Sequence, residues 1–169
     1  FLLSDDELRH VLSDSEAAEV PEQLKAQVEQ RGTEHLLRVD ESTFERFMRN
    51  HPSSEARRRF DVAFMRRGGE ANLGRLRDAV AIRDSLAHLF GYPSWAAYQL
   101  DVKVAKTPER AMAFIKRIDE GLLAKARREI DEVAPIAEQD HLGHPVTKSD
   151  FAFYSDKLRR ARYAVDANE

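Results

Sequence analysis

The sequence predicts an all-α fold, a single multi-helix domain over residues 1–169 with one short strand admitted near residues 35–40. Three observations carry that expectation. Apolar residues recur at spacings of three and four, which gathers them on one side of a 3.6-residue helix. Serine, threonine or proline stands where these runs begin, in the manner of helix caps and first-turn residues. Glycine or proline stands where they stop.

Taken in order, Ser4-Asp5-Asp6-Glu7 is an S-x-x-E capping box ahead of Leu8, Val11 and Leu12, and predicts a short helix there. Pro21 suits a first helical position, with Leu24 and Val28 four apart and Arg31-Gly32 closing the segment. His35 to Asp40 is the one stretch read as extended, although its apolar residues are too contiguous for clean alternation. Ser42-Thr43-Phe44-Glu45 repeats the capping box before Phe47 and Met48, and His51-Pro52 ends that helix. A helix from Ser53 or Ser54 places Ala56, Phe60, Ala63 and Phe64 on one face, and Gly68-Gly69 ends it.

The rest of the chain is organised around Asn72 to Lys106. Leu73, Leu76, Val80, Ala87 and Phe90 form one stripe, read as the buried face of a core helix to which Leu86 also belongs, while Arg75, Arg77, Asp78 and Asp84 fall largely opposite. Gly91 is placed for a left-handed cap, and Pro93 follows where the helix cannot continue. Ser94 then caps a helix carrying Trp95 and Tyr98, and a corner this short requires the two helices to pack together. Thr107-Pro108 opens a helix of about thirty residues of mostly good helix formers, with Met112, Ile115, Leu122, Ile130, Val133 and Ala137 in a three-and-four pattern. Pro135 is expected to kink or split its last turns. Glu138 to Asp150 reads as a loop, after which Ser149 or Asp150 caps a final helix bearing Phe151, Tyr154 and Leu158.

Composition narrows the function classes. With 42% hydrophobic and 34% charged residues the chain is an ordinary soluble helical domain, and a net charge of −3 gives it no general pull toward nucleic acid or an anionic membrane. It holds no cysteine, which excludes a disulfide framework, a thiolate nucleophile and a cysteine zinc site, and fits a reducing, cytoplasmic compartment. There is no 18-residue apolar run, and the first residues lack the basic flank of a signal peptide. The missing initiator methionine reads as an excised segment. Arg57-Arg58-Arg59 with Arg66-Arg67 suggests RNA, but consecutive helical residues point about 100° apart and cannot form one flat basic patch. A solvated or interdomain face is the expectation, with the acidic first segment as an intramolecular partner.

Three blocks in order resemble one family. Arg83 to Tyr98, R-D-S-L-A-H-L-F-G-Y-P-S-W-A-A-Y, is similar to the helix–corner–helix of the thimet oligopeptidase and oligopeptidase A family of zinc metallopeptidases. Lys103 to Glu109 resembles that family's K-M-A-K-[ST]-P-E, with Val104 at the usual methionine. Phe153 to Arg159 followed by Tyr163 resembles its Y-Y-x-x-K-L-R-x-x-x-[YF], with Ser149-Asp150-Phe151 where tryptophan-aspartate usually stands. The resemblance covers residues 41–166 and leaves 1–40 as an N-terminal segment. It implies a parent enzyme that cleaves short peptides with zinc-activated water inside a mostly helical shell, and this chain would be a non-catalytic portion of it.

The chemistry at the centre of that resemblance is missing here. Two histidines one turn apart, H-E-x-x-H, would hold zinc with a glutamate between them acting on the bound water. None of the six histidines is followed by glutamate, so no catalytic, cofactor-binding or metal-ligating residue is assigned, and zinc is expected only in the full-length parent. Asp140-His141-Leu142-Gly143-His144 offers three donors in five residues, a spacing that suits solvated loop residues better than a zinc site. His88 reads as a hydrogen-bonded side chain beside the core stripe. Trp95, Tyr98 and Tyr154 are the candidates for lining a peptide channel, since aromatic faces with a polar tip suit an extended chain; the alternative is partial burial between helices. The expected partners are the remaining catalytic region of the parent and, for the parent, short peptides, with no nucleic acid or membrane. The alternative function is a stand-alone helical module whose aromatic and arginine-rich faces bind a protein.

Overall fold

The computed structural model describes residues 8–163, Ala71 by its backbone alone. These residues form eight helices and one three-stranded sheet, so the fold is mostly α as expected, and the extended stretch near residues 35–40 is one strand of three. They fall into two compact units. One combines the residues up to Gly69 with those from Glu129 onward; the other is Glu70–Arg128.

In the first unit β1 (Arg9–Leu12), β2 (Val28–Arg31) and β3 (Glu34–Arg38) pair antiparallel in the order β1-β3-β2. The helix expected over Leu8 to Leu12 is therefore a strand. Its residues alternate, with Leu12 buried and Val11 exposed, and the pairing of Arg9 with Arg38 and Leu12 with His35 gives its backbone the partners a lone helical turn would lack. The Ser4–Glu7 box lies outside the described residues. A box of the same pattern operates at Ser13-Asp14-Ser15-Glu16, where the Ser13 amide donates to Glu16 Oε2 at 2.7 Å and Ser13 Oγ accepts the Glu16 amide, opening α1 (Asp14–Ala18). The helix expected from Pro21 to Arg31 shrinks to α2 (Glu22–Lys25) for a related reason. Val28 to Arg31 is a strand, and Gly32, at φ +63°, is the first of the two residues that turn the β2–β3 hairpin.

Helices α3 (Glu41–Asn50) and α4 (Ser54–Met65) form where read, with caps at Asp40 and Ser53, but α4 ends at Met65, and Gly69, expected to close it, is the first residue of the next helix. The α3 cap sits two residues before Ser42, because Asp40 Oδ1 accepts the Thr43 amide at 2.9 Å. Phe47 and Phe60 stack at 4.4 Å between ring centroids, within a core that also holds Leu12, Leu24, Leu37, Val39, Met48 and Ala56. α8 (Lys148–Tyr163) packs on α3 and α4. Its Tyr154 joins Val133 and Ala137, from the last turns of α7 (Pro108–Gln139), in a second buried cluster. α7 runs through Pro135 unsplit; the carbonyl this proline leaves free belongs to Asp131, an exposed residue. α8 begins at Lys148, just after Thr147, whose amide and hydroxyl both donate to Asp150 Oδ2.

The second unit holds α5 (Gly69–Leu89), α6 (Trp95–Leu100) and the first part of α7. The α5 exit is as read from the sequence. Gly91 adopts φ +81°, its amide donates to the His88 carbonyl, and the Tyr92 amide reaches back to the Ala87 carbonyl at 2.9 Å, which together form a Schellman cap. Ser94 Oγ accepts the Ala97 amide to open α6. The burial of α5 is the reverse of expectation: Leu73, Leu76, Val80 and Phe90 are exposed, Val80 by 56%, and Ala87 is the sole buried member of the stripe. Leu86 is 38% exposed and is not a core residue either. Both buried apolar clusters lie in the first unit. Thus α5 has the exit read from the sequence, but most of its apolar side chains are exposed.

Candidate functional site

Two features of the structure bear on function. The first is the corner between α5 and α6. Tyr98 stands at its centre, with Phe90, Tyr92 and Trp95 each 5.3 Å away between ring centroids. The Phe90–Tyr98 pair is stacked across the corner, so the two helices do meet there, through their rings. Tyr92 Oη donates to Asp101 Oδ2 at 2.9 Å, and this bond to a carboxylate raises the hydroxyl above the ordinary tyrosine range. The Arg83 guanidinium lies 5.8 Å from the Trp95 ring. Trp95, Tyr98 and Tyr92 are half-buried, so the cluster is held in shape and still presents ring surface. Tyr92 belongs to this cluster and was missed, since its place in the turn gave it no helical periodicity to be recognised by.

Tyr154 is differently placed. It is 3% exposed, packed against Val133 and Ala137, and lies in the first unit, whereas Trp95 and Tyr98 lie in the second.

The second feature is the loop from Asp140 to Thr147. It borders a cleft of about 690 Å³ lined on the other side by Ile130, Asp131, Ala134 and Glu138, and a second of about 700 Å³ that includes Ser54, Glu55 and Arg58. His141 has a left-handed backbone at φ +57°. His144 lies with Nδ1 2.9 Å from the Pro145 carbonyl and Nε2 3.4 Å from Ser54 Oγ, and Asp140 is paired with Lys157. Zinc hydrolysis requires about three protein ligands converging on one point. Among the described residues no three histidine, aspartate or glutamate side chains do so, and the donors of this loop do not fit the metal. His88 is exposed, with Nδ1 2.9 Å from the Asp84 carbonyl one turn back.

Behind that loop is a polar network that the sequence reading misjudged. Arg57, expected on a solvated face, is 0% exposed. Its Nη2 donates to Asp150 Oδ1 at 2.7 Å, its Nη1 to the carbonyls of His51 and Pro52, its Nε to that of Ser149, and its guanidinium lies 4.3 Å from the Phe153 ring. Asp150 also accepts Ser54 Oγ at 2.6 Å. A signal was available: Arg57 precedes Phe60 by three positions and Phe64 by seven, on the apolar face of α4. The neighbours behave as expected. Arg58 pairs with Glu55 in solvent, and Arg59 pairs with Glu16 of the acidic first segment at 3.0 Å.

Comparison with known sequences agrees with the three motif blocks. The profile of peptidase family M3 matches residues 47–169, well over half of the chain. The chain belongs to peptidase family M3, a family of metallopeptidases. It is 32% identical to the dipeptidyl carboxypeptidase of Salmonella typhimurium over 87 residues, which are 52% of this chain and 13% of that protein. It is 23% identical to the oligopeptidase A of the same organism over 168 residues, 92% of this chain and 25% of that protein. With the mitochondrial intermediate peptidase of Vanderwaltozyma polyspora it shares 36% identity over 87 residues, 52% of this chain and 11% of that protein. The chain thus spans between about one-tenth and one-quarter of the length of these relatives. Among the described residues no helix is long and apolar enough to cross a membrane.

Proposed function

We propose that this chain is a non-catalytic helical portion of a longer, zinc-dependent M3 oligopeptidase that hydrolyses short peptides in the cytoplasm. The observation that carries the reading is a pairing: residues 47–169 match the family, yet H-E-x-x-H occurs nowhere in the sequence. The chain contributes wall and scaffold, and its partner is the remaining catalytic region of the parent. Trp95 and Tyr98 are the side chains through which it meets a peptide, because their rings combine apolar faces with polar tips on a half-exposed corner. Tyr154 serves packing in this reading.

The test has two arms. Zinc content after dialysis and turnover of a fluorogenic peptide are measured on the 169-residue chain and on the full-length parent, and the parent reading frame is searched for H-E-x-x-H. The expected result is neither zinc nor turnover in the short chain, and one zinc per chain with turnover in the parent. A tightly held zinc in the short chain, or turnover lost on changing His141 and His144 to alanine, would place the chemistry within these residues. A parent without H-E-x-x-H would leave a stand-alone helical interaction module as the better description.

A further inference from the structure

The second unit carries apolar surface on more sides than its own helices cover. At about 100° per residue, Leu73, Leu76 and Val80 fall within about 60° of one another on α5, and Ile82, Leu86 and Leu89 fall within about 60° of one another on roughly the opposite side. All six are exposed, Leu89 by 78%. On α7 the stripe of Met112, Ile115 and Leu122 is bare, although the same stripe about three and four turns further on supplies Val133 and Ala137, which are buried against Tyr154. Between Glu70 and Arg128, Ala87 is the only buried apolar residue among those described. Isolated helices of this kind hold together in water mainly through packing of their apolar faces, so these faces call for a cover.

Resting on the proposed function, we infer that the two apolar faces of α5 and the Met112–Leu123 stripe of α7 are enclosed by the remaining polypeptide of the full-length peptidase. The argument for that occupant over a second copy is geometric. A two-fold dimer repeats one self-complementary patch and would cover one side of α5, leaving the opposite side wet. Apolar side chains on two opposite sides of one helix call for neighbours on both sides, as inside a larger domain. The relatives supply the scale, since the matched segments make up only 13% of the dipeptidyl carboxypeptidase and 25% of the oligopeptidase A. The α7 stripe adds continuity, because its far end is already seated in a core. Charged residues lie between the two apolar sides of α5, and several have partners within the unit: Arg75 donates to Asn72 Oδ1 at 2.9 Å, Asp84 lies 3.6 Å from His88 Nδ1, and Arg83 lies 5.8 Å from the Trp95 ring.

The experiment compares amide hydrogen exchange in the 169-residue chain and in the full-length parent, with sedimentation of both. Exchange over α5 and over Met112 to Leu123 is expected to be at least about 100-fold slower in the parent. Val80→Asp and Ile82→Asp, one on each side of α5, should each lower the thermal midpoint of the parent and leave the unfolding of the first unit of the short chain unchanged. Protection already present in a monomeric short chain would overturn the inference, as would protection that appears with dimerisation of the short chain. Equal, fast exchange in both proteins would also overturn it, while leaving the family reading intact. A parent that lacks H-E-x-x-H or zinc would sink the proposed function alone, since exchange protection reports enclosure and not chemistry. An effect of Val80→Asp without any effect of Ile82→Asp would show a one-sided interface and refute enclosure.

Discussion

Asp150→Asn removes one charge and almost no volume from the best-connected buried site in the chain. Arg57 and Asp150 are both 0% exposed and 2.7 Å apart, so the substitution leaves a guanidinium charge in the core without its carboxylate partner. Removing one partner of a buried ion pair costs about 3–5 kcal/mol. The carbonyls of His51, Pro52 and Ser149 stay in place, and the amide oxygen of asparagine still accepts hydrogen bonds, which puts the expected cost near the lower end, about 3 kcal/mol. The assay is urea denaturation followed by far-ultraviolet circular dichroism, with hydrogen exchange of β3 and α4 to confirm which unit unfolds. Arg57→Met should cost a similar amount, and the double variant clearly less than the sum, with a coupling above about 1 kcal/mol. The pH dependence adds an independent check. Burial pushes the Asp150 carboxyl up, but hydrogen bonds from Ser54, Thr147 and Arg57 outweigh it and hold the group below its ordinary range. A carboxyl lowered on folding stabilises fully above its unfolded value of about 3.9, and that contribution is lost as the pH falls through the folded value. The gap between the native chain and Asp150→Asn should therefore be widest near neutrality and close in acid. A gap that persists unchanged in acid, or a double variant that is simply additive, would refute the reasoning.

Phe60→Ala should cost about 3–5 kcal/mol, since its ring is fully buried among Phe44, Phe47 and His10, whereas Leu86→Ala should cost well under 2 kcal/mol at a 38% exposed position. Equal losses in urea denaturation would contradict this assignment of the core. His51 is buried, with Nδ1 accepting the Ser53 amide and Nε2 3.1 Å from the Glu16 carbonyl, and burial holds its pKa below the ordinary value. The unfolded chain then takes up the proton more readily, so stability should fall as the pH drops from about 6.5 toward the folded value. His51→Gln should flatten that slope, and an unaltered slope would assign it to other groups. RNA binding should be absent at physiological salt, because Arg57 is in the core while Arg58 and Arg59 are paired with Glu55 and Glu16. Tight binding that weakens steeply with salt and disappears in Arg58→Ala plus Arg59→Ala would overturn that expectation.

Local chemistry was the most legible part of the sequence. Gly91, Ser94, Ser53 and Thr107 each do what their type and position suggested, because a cap is decided within four or five residues. Where two local signals competed, the sequence did not rank them. Ser4–Glu7 and Ser13–Glu16 both spell S-x-x-E, and the choice of strand for Arg9 to Leu12 depends on β3, more than twenty residues away. The same dependence turned Val28 to Arg31 into a strand. A four-residue spacing from Leu24 to Val28 is compatible with a helix, and only pairing with β3 decides otherwise. Arg57 shows a different limit. Its position on the apolar face of α4 was visible, but the partner that makes its burial tolerable, Asp150, is 93 residues away.

α5 and α7 separate what periodicity can say from what it cannot. A three-and-four pattern identifies the side chains that water will not cover favourably; it does not name what covers them. Along α7 one continuous stripe is buried at Val133 and Ala137 and bare at Met112, Ile115 and Leu122, with the same spacing throughout. Within the first unit α8 returns to pack against the end of the helix, while the apolar side chains near its beginning are exposed. The family blocks run through this under-covered region, from Arg83 to Glu109. The exposure of Leu73, Leu76, Val80 and Phe90 therefore corrects the reading of α5 as the centre of this chain's own core, and the enclosure proposed above is what would account for its apolar faces.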